Sequence, residues 1–359
     1  MDQLHDAPDL LDLLDRPAFC VKDGIIVKTN PAAAGYMIET GTPVSDILQI
    51  GQQEYADFID GCLYLSLTVA EQTLGASVTR MQDCHIFCIE QDTDNRELQA
   101  MALAAQELRG PLSTVMITAD RLFPLCGSDG NSDENAARLN RGLLQMLRVI
   151  GNMSDAVLYA TDTAERQTIH DFAGIMDEIF EKAEAMSVHT GIRLTYEGLS
   201  GPVYSLADPE KLERAVLNIL SNAYKFTPAG GTIQAKLTRR QNKLYLSVQD
   251  SGSGVDTPLR GQVFSRHTRG AAIEDDRFGI GLGMVLIRSA AALHGGTVLI
   301  DHPEGAGMRV TMTLSIRTAQ NTQVRSQIRR IDRSGGHDRT LVELSNILPP
   351  ALYAPEEKK

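Results

Sequence analysis

The chain has 359 residues, a formal net charge of −12 and a hydrophobic fraction of 43%, values typical of a globular protein with two or three domains. Its apolar runs are shorter than the roughly 18 to 20 residues that a membrane-spanning helix needs. The acidic start over residues 1–6 lacks the basic segment of a secretory signal. We therefore expect a soluble, cytoplasmic protein without a membrane partner.

Charge is concentrated at the start of the chain. Residues 1–100 hold 17 Asp or Glu against 5 Lys or Arg, a difference equal to the net charge of the whole chain. The remainder is close to neutral, and its basic stretch over residues 325–333 fits a packed element, so no nucleic acid partner is expected. The 5 cysteines show no Cys-x-x-Cys spacing, which favours reduced thiols over a metal site.

Residues 1–92 alternate between short strands and helices. Asp23-Gly24 is a hairpin turn between β-like runs, and Asn30-Pro31 begins a helix of small residues. This order resembles a PAS-type sensor domain, for which we expect a hydrophobic interior without a cofactor. The strands are predicted at residues 18–22, 24–28, 63–69, 75–81 and 85–89.

Residues 93–165 have a helical period instead. A turn cluster at residues 127–132 separates two apolar stripes, which predicts an antiparallel helical hairpin. Such a hairpin cannot bury both faces alone, so we expect a dimeric four-helix bundle. The first stripe comprises Leu98, Met101, Leu103, Ala105, Leu108, Leu112, Val115, Met116 and Leu122. The second comprises Leu139, Leu143, Leu147, Ile150, Met153 and Val157.

Residues 166–316 mix strands and helices in an order that predicts a two-layer α/β sandwich, so the whole chain is α+β and multidomain. Residues 317–359 are a polar, charged extension with one amphipathic piece at 341–348. Within the sandwich, helices are predicted near residues 172–183 and at 209–225 and 284–293, and strands at 192–196, 232–237, 243–249, 297–300 and 308–315.

The predicted helix 209–225 carries two amides that could hold a metal. Asn218 and Asn222 are four residues apart on one helix face, and their oxygens can reach a Mg²⁺ that bridges nucleotide phosphates. Lys225 follows as a phosphate counter-charge. Two asparagines on a helix are more often ordinary polar residues, so this pattern alone is weak.

Two glycine-rich motifs follow. Asp250 precedes Gly252 and Gly254, and its carboxylate could accept a hydrogen bond from an adenine amino group while the glycines let the backbone approach. Gly-x-Gly-x-Gly at residues 279–283 exposes backbone N–H groups and a positive helix end to phosphates. Each motif alone is usually a turn. His294-Gly295 closes the last helix, for which we predict a structural role and a left-handed cap.

The combination is more specific than its parts. Asn-x-x-x-Asn-Ala-x-Lys-Phe-Thr, Asp-x-Gly-x-Gly, Gly-x-Gly-x-Gly and His-Gly-Gly occur in the order found in sensor histidine kinases, whose Bergerat-type ATP-binding domain is similar to that of gyrase. The resemblance covers residues 97–316. It implies Mg²⁺ at Asn222 with help from Asn218, phosphate at Lys225 beside Phe226, adenine at Asp250, Gly252 and Gly254, and a lid with Phe264, Arg266, Gly279, Gly281 and Gly283.

The phosphoacceptor box of that family departs from its pattern here. Residues 105–112 read Ala-Gln-Glu-Leu-Arg-Gly-Pro-Leu where the family has Ser-His-Glu-Leu-Arg-Thr-Pro-Leu. Gln106 replaces the histidine, and a glutamine amide has no comparable nucleophile. By the resemblance, Glu107 is the base but has nothing to deprotonate, and Gly110 replaces the residue that orients a water. His85 and His170 lie outside any such box and are predicted to be structural.

These features predict a pseudokinase that binds ATP and Mg²⁺. It would act through its conformation, or in trans on a partner, as a homodimer or as a heterodimer with another histidine kinase, with a response regulator as a further partner. Two alternatives stay open: an active histidine kinase with a non-standard acceptor, and a non-catalytic interaction scaffold.

Overall fold

The structure is a computed structural model, and two of its features follow the local sequence at the N-terminal end. Asp23 and Gly24 have φ angles of 51° and 79°, as a tight hairpin turn requires. Asn30 Oδ1 accepts a hydrogen bond from the Ala33 N–H at 3.1 Å and caps a 3-10 helix at Pro31–Tyr36. The structure describes residues 11–12, 14–90, 92–122, 130–161, 167–252, 282–303, 307–317 and 338–354.

The N-terminal part is an antiparallel sheet with short helices on one face. Phe19 and Phe87 stack at 4.7 Å in its core, which side chains such as Leu63 and Leu65 fill, in line with the expected hydrophobic interior. The elements are β1 (Ala18–Lys22), β2 (Ile25–Thr29), a 3-10 helix at Val44–Asp46, β3 (Leu48–Ile50), α1 (Gln52–Ala56), β4 (Cys62–Val69), β5 (Gln72–Met81) and β6 (Cys84–Ile89).

Two long antiparallel helices follow, as the apolar spacing predicted: α2 (Asp92–Leu122) and α3 (Gly130–Thr161). Ala105, Leu112 and Ala119 recur every seventh residue on α2 and are buried in the same core cluster as α3 residues. Pro111 lies inside α2, where it has no N–H to donate.

The apolar residues of the two helices divide into a buried and an exposed set, and the exposed set on α3 includes Met146 and Val149, which the predicted stripe did not contain. On α2, Leu108, Val115 and Leu122 form a second heptad row that is 49–52% exposed. On α3, Leu139 and Met146 are each 49% exposed, and Val149 is 39% exposed. We call these six side chains the outer stripe. The hairpin alone therefore covers only one of its two apolar faces.

The next part combines helices with a mixed sheet. β7 (Thr168–Asp171) and β9 (Tyr204–Ala207) pair with each other, and neither was predicted. The other elements agree with the sequence within one to three residues at most ends: α4 (Phe172–Ser187), β8 (Arg193–Glu197), α5 (Pro209–Phe226), β10 (Thr232–Arg240), β11 (Lys243–Asp250), α6 (Leu282–Leu293), β12 (Val298–Asp301) and β13 (Arg309–Ser315).

One sheet runs through both parts of the molecule. β4 pairs antiparallel with β12, with Leu63 opposite Leu299. The strand order is β2-β1-β6-β5-β4-β12-β13-β11-β10-β8, with β3 paired to β4. Beside this junction Arg288 on α6 forms an ion pair with Glu90 just after β6. This connection was not predicted from the sequence.

Residues 338–354, here called the C-terminal segment, contain α7 (Arg339–Glu343) and a 3-10 helix at Pro350–Tyr353. They overlap the amphipathic piece predicted at residues 341–348 and pack on α3 and α5. Leu344 and Leu348 are 1% and 0% exposed and belong to the main core. The basic stretch at residues 325–333 lies outside the described residues.

Within the part of the chain that the structure describes, none of the helices combines the length and apolar character needed to span a bilayer.

Candidate functional site

Helix α5 begins with a well-formed cap. Asp208 accepts the Lys211 N–H at 3.2 Å through its side chain, and Pro209 occupies the first helical position. The helix buries its apolar face in the core and carries Asn218 and Asn222 four residues apart. Local sequence thus fixes where both amides lie.

The two asparagines face the first turn of α6. Asn218 is 2% exposed, and its Nδ2 donates to the Arg214 carbonyl at 2.8 Å. Its Oδ1 is directed at Gly283, where an added Cβ would lie only 2.9 Å away. Asn222 is half-buried, with its Nδ2 3.8 Å from the sulfur of Met284. Gly283 therefore allows α5 and α6 to approach closely at the amides.

Asp250 ends β11 in a buried position. It is 4% exposed, and its Oδ1 accepts hydrogen bonds from the Gly252 N–H at 2.8 Å and the Met308 N–H at 3.1 Å. Burial raises the pKa of this carboxyl, while the two backbone hydrogen bonds act in the opposite direction. Within the described residues, both of these hydrogen bonds go to Oδ1 of the carboxylate.

Two glycines pack tightly around Asp250. A side chain at Gly252 would overlap the Phe226 carbonyl, and one at Gly307 would overlap the Asp250 carboxylate. Gly307 was not predicted as a site residue, although a glycine two residues before the strand β13 is a signal for a close backbone approach. Gly252 and Gly307 thus bring three chain segments together at one carboxylate.

Lys225 and Phe226 lie at the end of α5, one turn beyond Asn222, and are both half-buried. The Lys225 ammonium is 5.1 Å from the centre of the Phe226 ring. The structure therefore brings Asn218, Asn222, Lys225, Phe226, Asp250, Gly252 and Gly283 to neighbouring positions on α5, β11 and α6. The predicted residues Gly254, Phe264, Arg266, Gly279 and Gly281 lie outside the described residues.

The residues of the altered box lie on α2. Gln106 and Glu107 are exposed. A side chain at Gly110 would meet no atom within 4 Å, so packing does not require glycine there. The first turns of α6 contact α2 at Met101, which packs against Leu282 and its neighbours. Gln106 itself stays on the open face of the helix.

His294, which directly follows α6, is held by backbone partners. His294 is 0% exposed, and its Nε2 accepts the Asp208 N–H at 3.0 Å. Its Nδ1 therefore carries the proton and donates to the Ala290 carbonyl at 2.7 Å. Burial lowers the pKa of this imidazole to about 4. Together with Gly295 at φ +66°, this confirms the predicted structural role.

The side chains at this site suit a metal ion that a bound nucleotide helps to coordinate better than one that the protein coordinates alone. No group of three or more His, Cys, Asp or Glu side chains that could hold a metal occurs among the described residues. Amide oxygens such as those of Asn218 and Asn222 are weak but hard ligands, which Mg²⁺ accepts when phosphate oxygens supply the rest.

A family comparison identifies this region. Residues 207–318 match the model of the "Histidine kinase-, DNA gyrase B-, and HSP90-like ATPase" family. These residues are a histidine kinase-like ATPase domain. It includes α5, β10, β11, α6, β12 and β13, and hence all the described residues of the nucleotide motifs.

Curated relatives extend the likeness beyond the ATPase domain. The chain is 27% identical over 235 residues to the sensor histidine kinase TmoS of Ectopseudomonas mendocina, covering 64% of this chain and 24% of TmoS. It is 29% identical over 246 residues to the histidine protein kinase DivJ of Caulobacter vibrioides, covering 64% and 41%. The sensor histidine kinase RppB of Synechocystis is 27% identical, covering 62% and 49%. The chain therefore spans only about a quarter to a half of these relatives.

A solved structure agrees with the fold. Full-length ShkA in complex with AMPPNP is 23% identical, with a TM-score of 0.50 over 62% of this chain and 47% of ShkA. At this identity the likeness concerns the fold alone.

Proposed function

We propose that the ATPase domain binds ATP together with Mg²⁺. The observation that carries this proposal is the convergence of Asn218, Asn222 and Gly283 at one helix junction, beside the buried carboxylate of Asp250. Asp250 Oδ2 would accept a hydrogen bond from the adenine amino group. Lys225 would oppose phosphate charge.

The amide oxygens of Asn222 and Asn218 would hold Mg²⁺ jointly with phosphate oxygens of the nucleotide. The metal would neutralise phosphate charge when bound. The part of the chain described here supplies no carboxylate cluster for it, so metal and nucleotide binding should depend on each other.

We propose further that the protein is a histidine kinase-like signalling protein that does not phosphorylate itself. Gln106 lacks a nucleophilic nitrogen, and Gly110 supplies no side chain to orient a water. Nucleotide binding would instead bias the conformation that a kinase or response regulator reads, or the domain would phosphorylate a partner histidine in trans. Two alternative hypotheses are a working kinase with a non-standard acceptor and an interaction scaffold.

The hairpin supports a dimeric form of this protein. The outer stripe places three large apolar side chains on each helix at heptad-like spacing, and each is 39–52% exposed. Such a face requires a partner, and a second copy or the hairpin of another histidine kinase would supply the missing helices of a four-helix bundle.

The proposal is tested with labelled ATP on wild type and Gln106→His. We expect no acid-labile phosphate on the wild type and a labelled histidine on the variant. Stable label on the wild type would establish a non-standard acceptor. Gln106→His that binds ATP and stays unlabelled would contradict transfer to a partner in trans.

Nucleotide titration separates the pseudokinase from the scaffold. We expect Asn222→Ala to weaken binding of Mg·ATP at least tenfold, because an amide ligand is lost. Asn242→Ala, in the exposed turn between β10 and β11, is the matched control and should bind like wild type. Absence of binding by all three proteins would favour the scaffold.

A further inference from the structure

A buried cluster of charges joins three parts of the chain. Glu343 in the C-terminal segment is 1% exposed, and its carboxylate oxygens lie 3.2 Å from Arg148 Nε and 3.2 Å from Arg214 Nη2. Arg148 belongs to the hairpin helix α3, and Arg214 to the ATPase helix α5. Arg214 also pairs with Asp155 on α3. A single carboxylate therefore bridges the hairpin and the ATPase domain.

Other contacts fix the C-terminal segment on both helices. On α3, Arg141 Nε donates to the Ser345 carbonyl at 2.8 Å, and Asn140 Nδ2 donates to the Tyr353 carbonyl at 3.1 Å. On α5, Glu210 and Glu213 lie 3.2 Å and 2.6 Å from the guanidinium of Arg339. The buried side chains Leu344, Leu348 and Tyr353 complete the contact.

The part of α5 that Glu343 bridges to α3 also carries Asn218 and Asn222, the two amides proposed to bind Mg²⁺. The Arg214 backbone carbonyl accepts a hydrogen bond from Asn218 Nδ2 at 2.8 Å, and Ser221 Oγ accepts one from Arg148 at 2.8 Å. Without Glu343, the buried cations of Arg148 and Arg214 would share the one carboxylate of Asp155, and the excess positive charge in a buried space is unfavourable. The C-terminal segment therefore stabilises this placement of α5 on α3.

The placement keeps the ATPase domain off the open face of α2. Its polar contacts to the hairpin involve α3 residues 148–155, and α6 contacts α2 at Met101. Gln106 stays exposed. A nucleotide held by Asn222 would have to move with its domain to reach that face.

We propose that the C-terminal segment is an intramolecular clamp, which holds the ATPase domain against α3 and withholds it from the face of α2 that carries Gln106. Release of the segment would free the domain to move. The part of this proposal that concerns phosphate transfer rests on the function proposed above, whereas the clamp itself does not.

Hydroxyl-radical footprinting of the full chain without nucleotide tests the clamp. Met101 and Met153 pack against the α6 cluster of Leu282, Val285 and Leu286, so their oxidation reports whether the domain leaves the hairpin. Tyr353, which is 4% exposed, reports release of the segment itself.

Glu343→Lys should release the segment, because the new ammonium group would be repelled by Arg148 and Arg214. We expect oxidation of Tyr353, Met101 and Met153 to rise at least threefold, while that of Met37, which is 81% exposed in the N-terminal part, stays unchanged. Glu134→Lys, at an exposed i,i+4 ion pair on α3, is the matched control and should leave all four unchanged. Circular dichroism verifies that each variant is folded.

A chain ending at residue 337 removes the segment without a new charge, and a chain ending at residue 354 is its control. If the shorter chain keeps Met101 and Met153 as protected as wild type, the segment is a passive cover and the clamp is overturned. The same holds if Glu343→Lys exposes Tyr353 alone.

A second measurement concerns phosphate transfer from ATP to a histidine introduced at position 106. In the Gln106→His background, Glu343→Lys should raise the rate of labelling by ATP at least threefold, and an unchanged or lower rate would overturn the restraint on Gln106. Absence of label in both proteins, with the footprint changed as expected, would count against the proposed ATPase competence and not against the clamp.

Discussion

At the scale of single residues, Asp250 brings three distant pieces of backbone to one carboxylate. Its Oδ1 is held by the N–H groups of Gly252 and Met308, so Oδ2 has a fixed direction before any ligand arrives. A pre-oriented acceptor loses little conformational entropy on binding. This geometry predicts selectivity for a base that presents an amino group.

Asp250→Asn should weaken binding of ATP by about tenfold to a hundredfold, because a hydrogen bond to a charged acceptor contributes about 1.5–3 kcal/mol. Binding of GTP, which presents a carbonyl at the same ring position, should change much less. Calorimetric titration with both nucleotides measures the ratio. Asp177→Asn, whose carboxylate accepts the Tyr196 hydroxyl at an exposed position, is the control. An unchanged preference for ATP would remove Asp250 from base recognition.

His294 predicts a dependence of stability on pH. Its folded pKa is lowered by burial to about 4, from an ordinary value of 6.5, so the unfolded chain binds the proton more tightly. The unfolding free energy should therefore fall as the pH drops from about 6.5 to about 4, by roughly 3 kcal/mol from this group. Above pH 6.5 both states are neutral and the effect vanishes.

Urea unfolding at several pH values measures this effect. His294→Gln should be less stable than wild type at pH 7, because the buried bonds to Asp208 and Ala290 are disturbed, but it should lose less stability between pH 6.5 and pH 4. His189→Gln, at an exposed position, should keep the slope of wild type. Equal slopes for all three proteins would show that His294 is protonated without cost in the folded state.

Sequence reasoning reached those site residues whose partners are local. The asparagine pair and the turn after Asp250 each lie within a few residues, where helical spacing and glycine conformation are readable. Met308 donates to Asp250 from 58 residues away. Gly307, its neighbour in the chain, packs against the same carboxylate. Contacts of this kind depend on strand order, which no local pattern contains.

At the scale of elements, the hairpin shows what the period of apolar residues can and cannot predict. Apolar spacing predicted both helices and their length, because a 3.6-residue period is a local property. It could not tell which apolar residues pack within the hairpin and which stay outside. Ala105 and Leu112 are buried, whereas Leu108 and Val115 on the same helix are about half exposed.

The outer stripe predicts a dimer that one charge disrupts. Val115→Glu places a carboxylate in the middle of the exposed row on α2, and its burial against a second hairpin without a partner is costly. Sedimentation equilibrium should show a dimer for wild type and a dissociation constant at least tenfold higher for the variant. Ser113→Glu, exposed on another face of α2, should remain dimeric. A monomeric wild type would contradict the stripe as a dimer interface.

At the scale of the whole molecule, the chain is predicted to divide at residues 92, 165 and 316, and the structure adds connections across these boundaries. The pairing of β4 with β12 joins strands from opposite parts of the chain, and the C-terminal segment returns to α3 and α5. Both connections use backbone pairing or buried ion pairs between residues with no local relation. Composition and periodicity therefore describe the parts but not their assembly.

The junction beside β4 and β12 predicts energetic coupling between the N-terminal sheet and the ATPase domain. Arg288 on α6 is 8% exposed, pairs with Glu90 and lies 5.5 Å from the centre of the Tyr64 ring, while Tyr64 donates its hydroxyl to Glu90 at 3.1 Å. Glu90→Ala removes the carboxylate opposite a buried guanidinium, so it should lower the unfolding free energy by about 2 kcal/mol.

A double-mutant cycle in urea isolates this coupling. Arg288→Met removes the buried charge, so Glu90→Ala should cost less than half as much in that background as in wild type. Glu197→Ala, at the exposed pair with Lys236, should cost less than about 0.5 kcal/mol and serves as the control for removal of a surface carboxylate. Additive effects of Glu90→Ala and Arg288→Met would mean that the ion pair does not couple the two parts. The coupling would then lie in other contacts among the described residues, such as the pairing of β4 with β12 and the ion pair of Lys243 with Glu54.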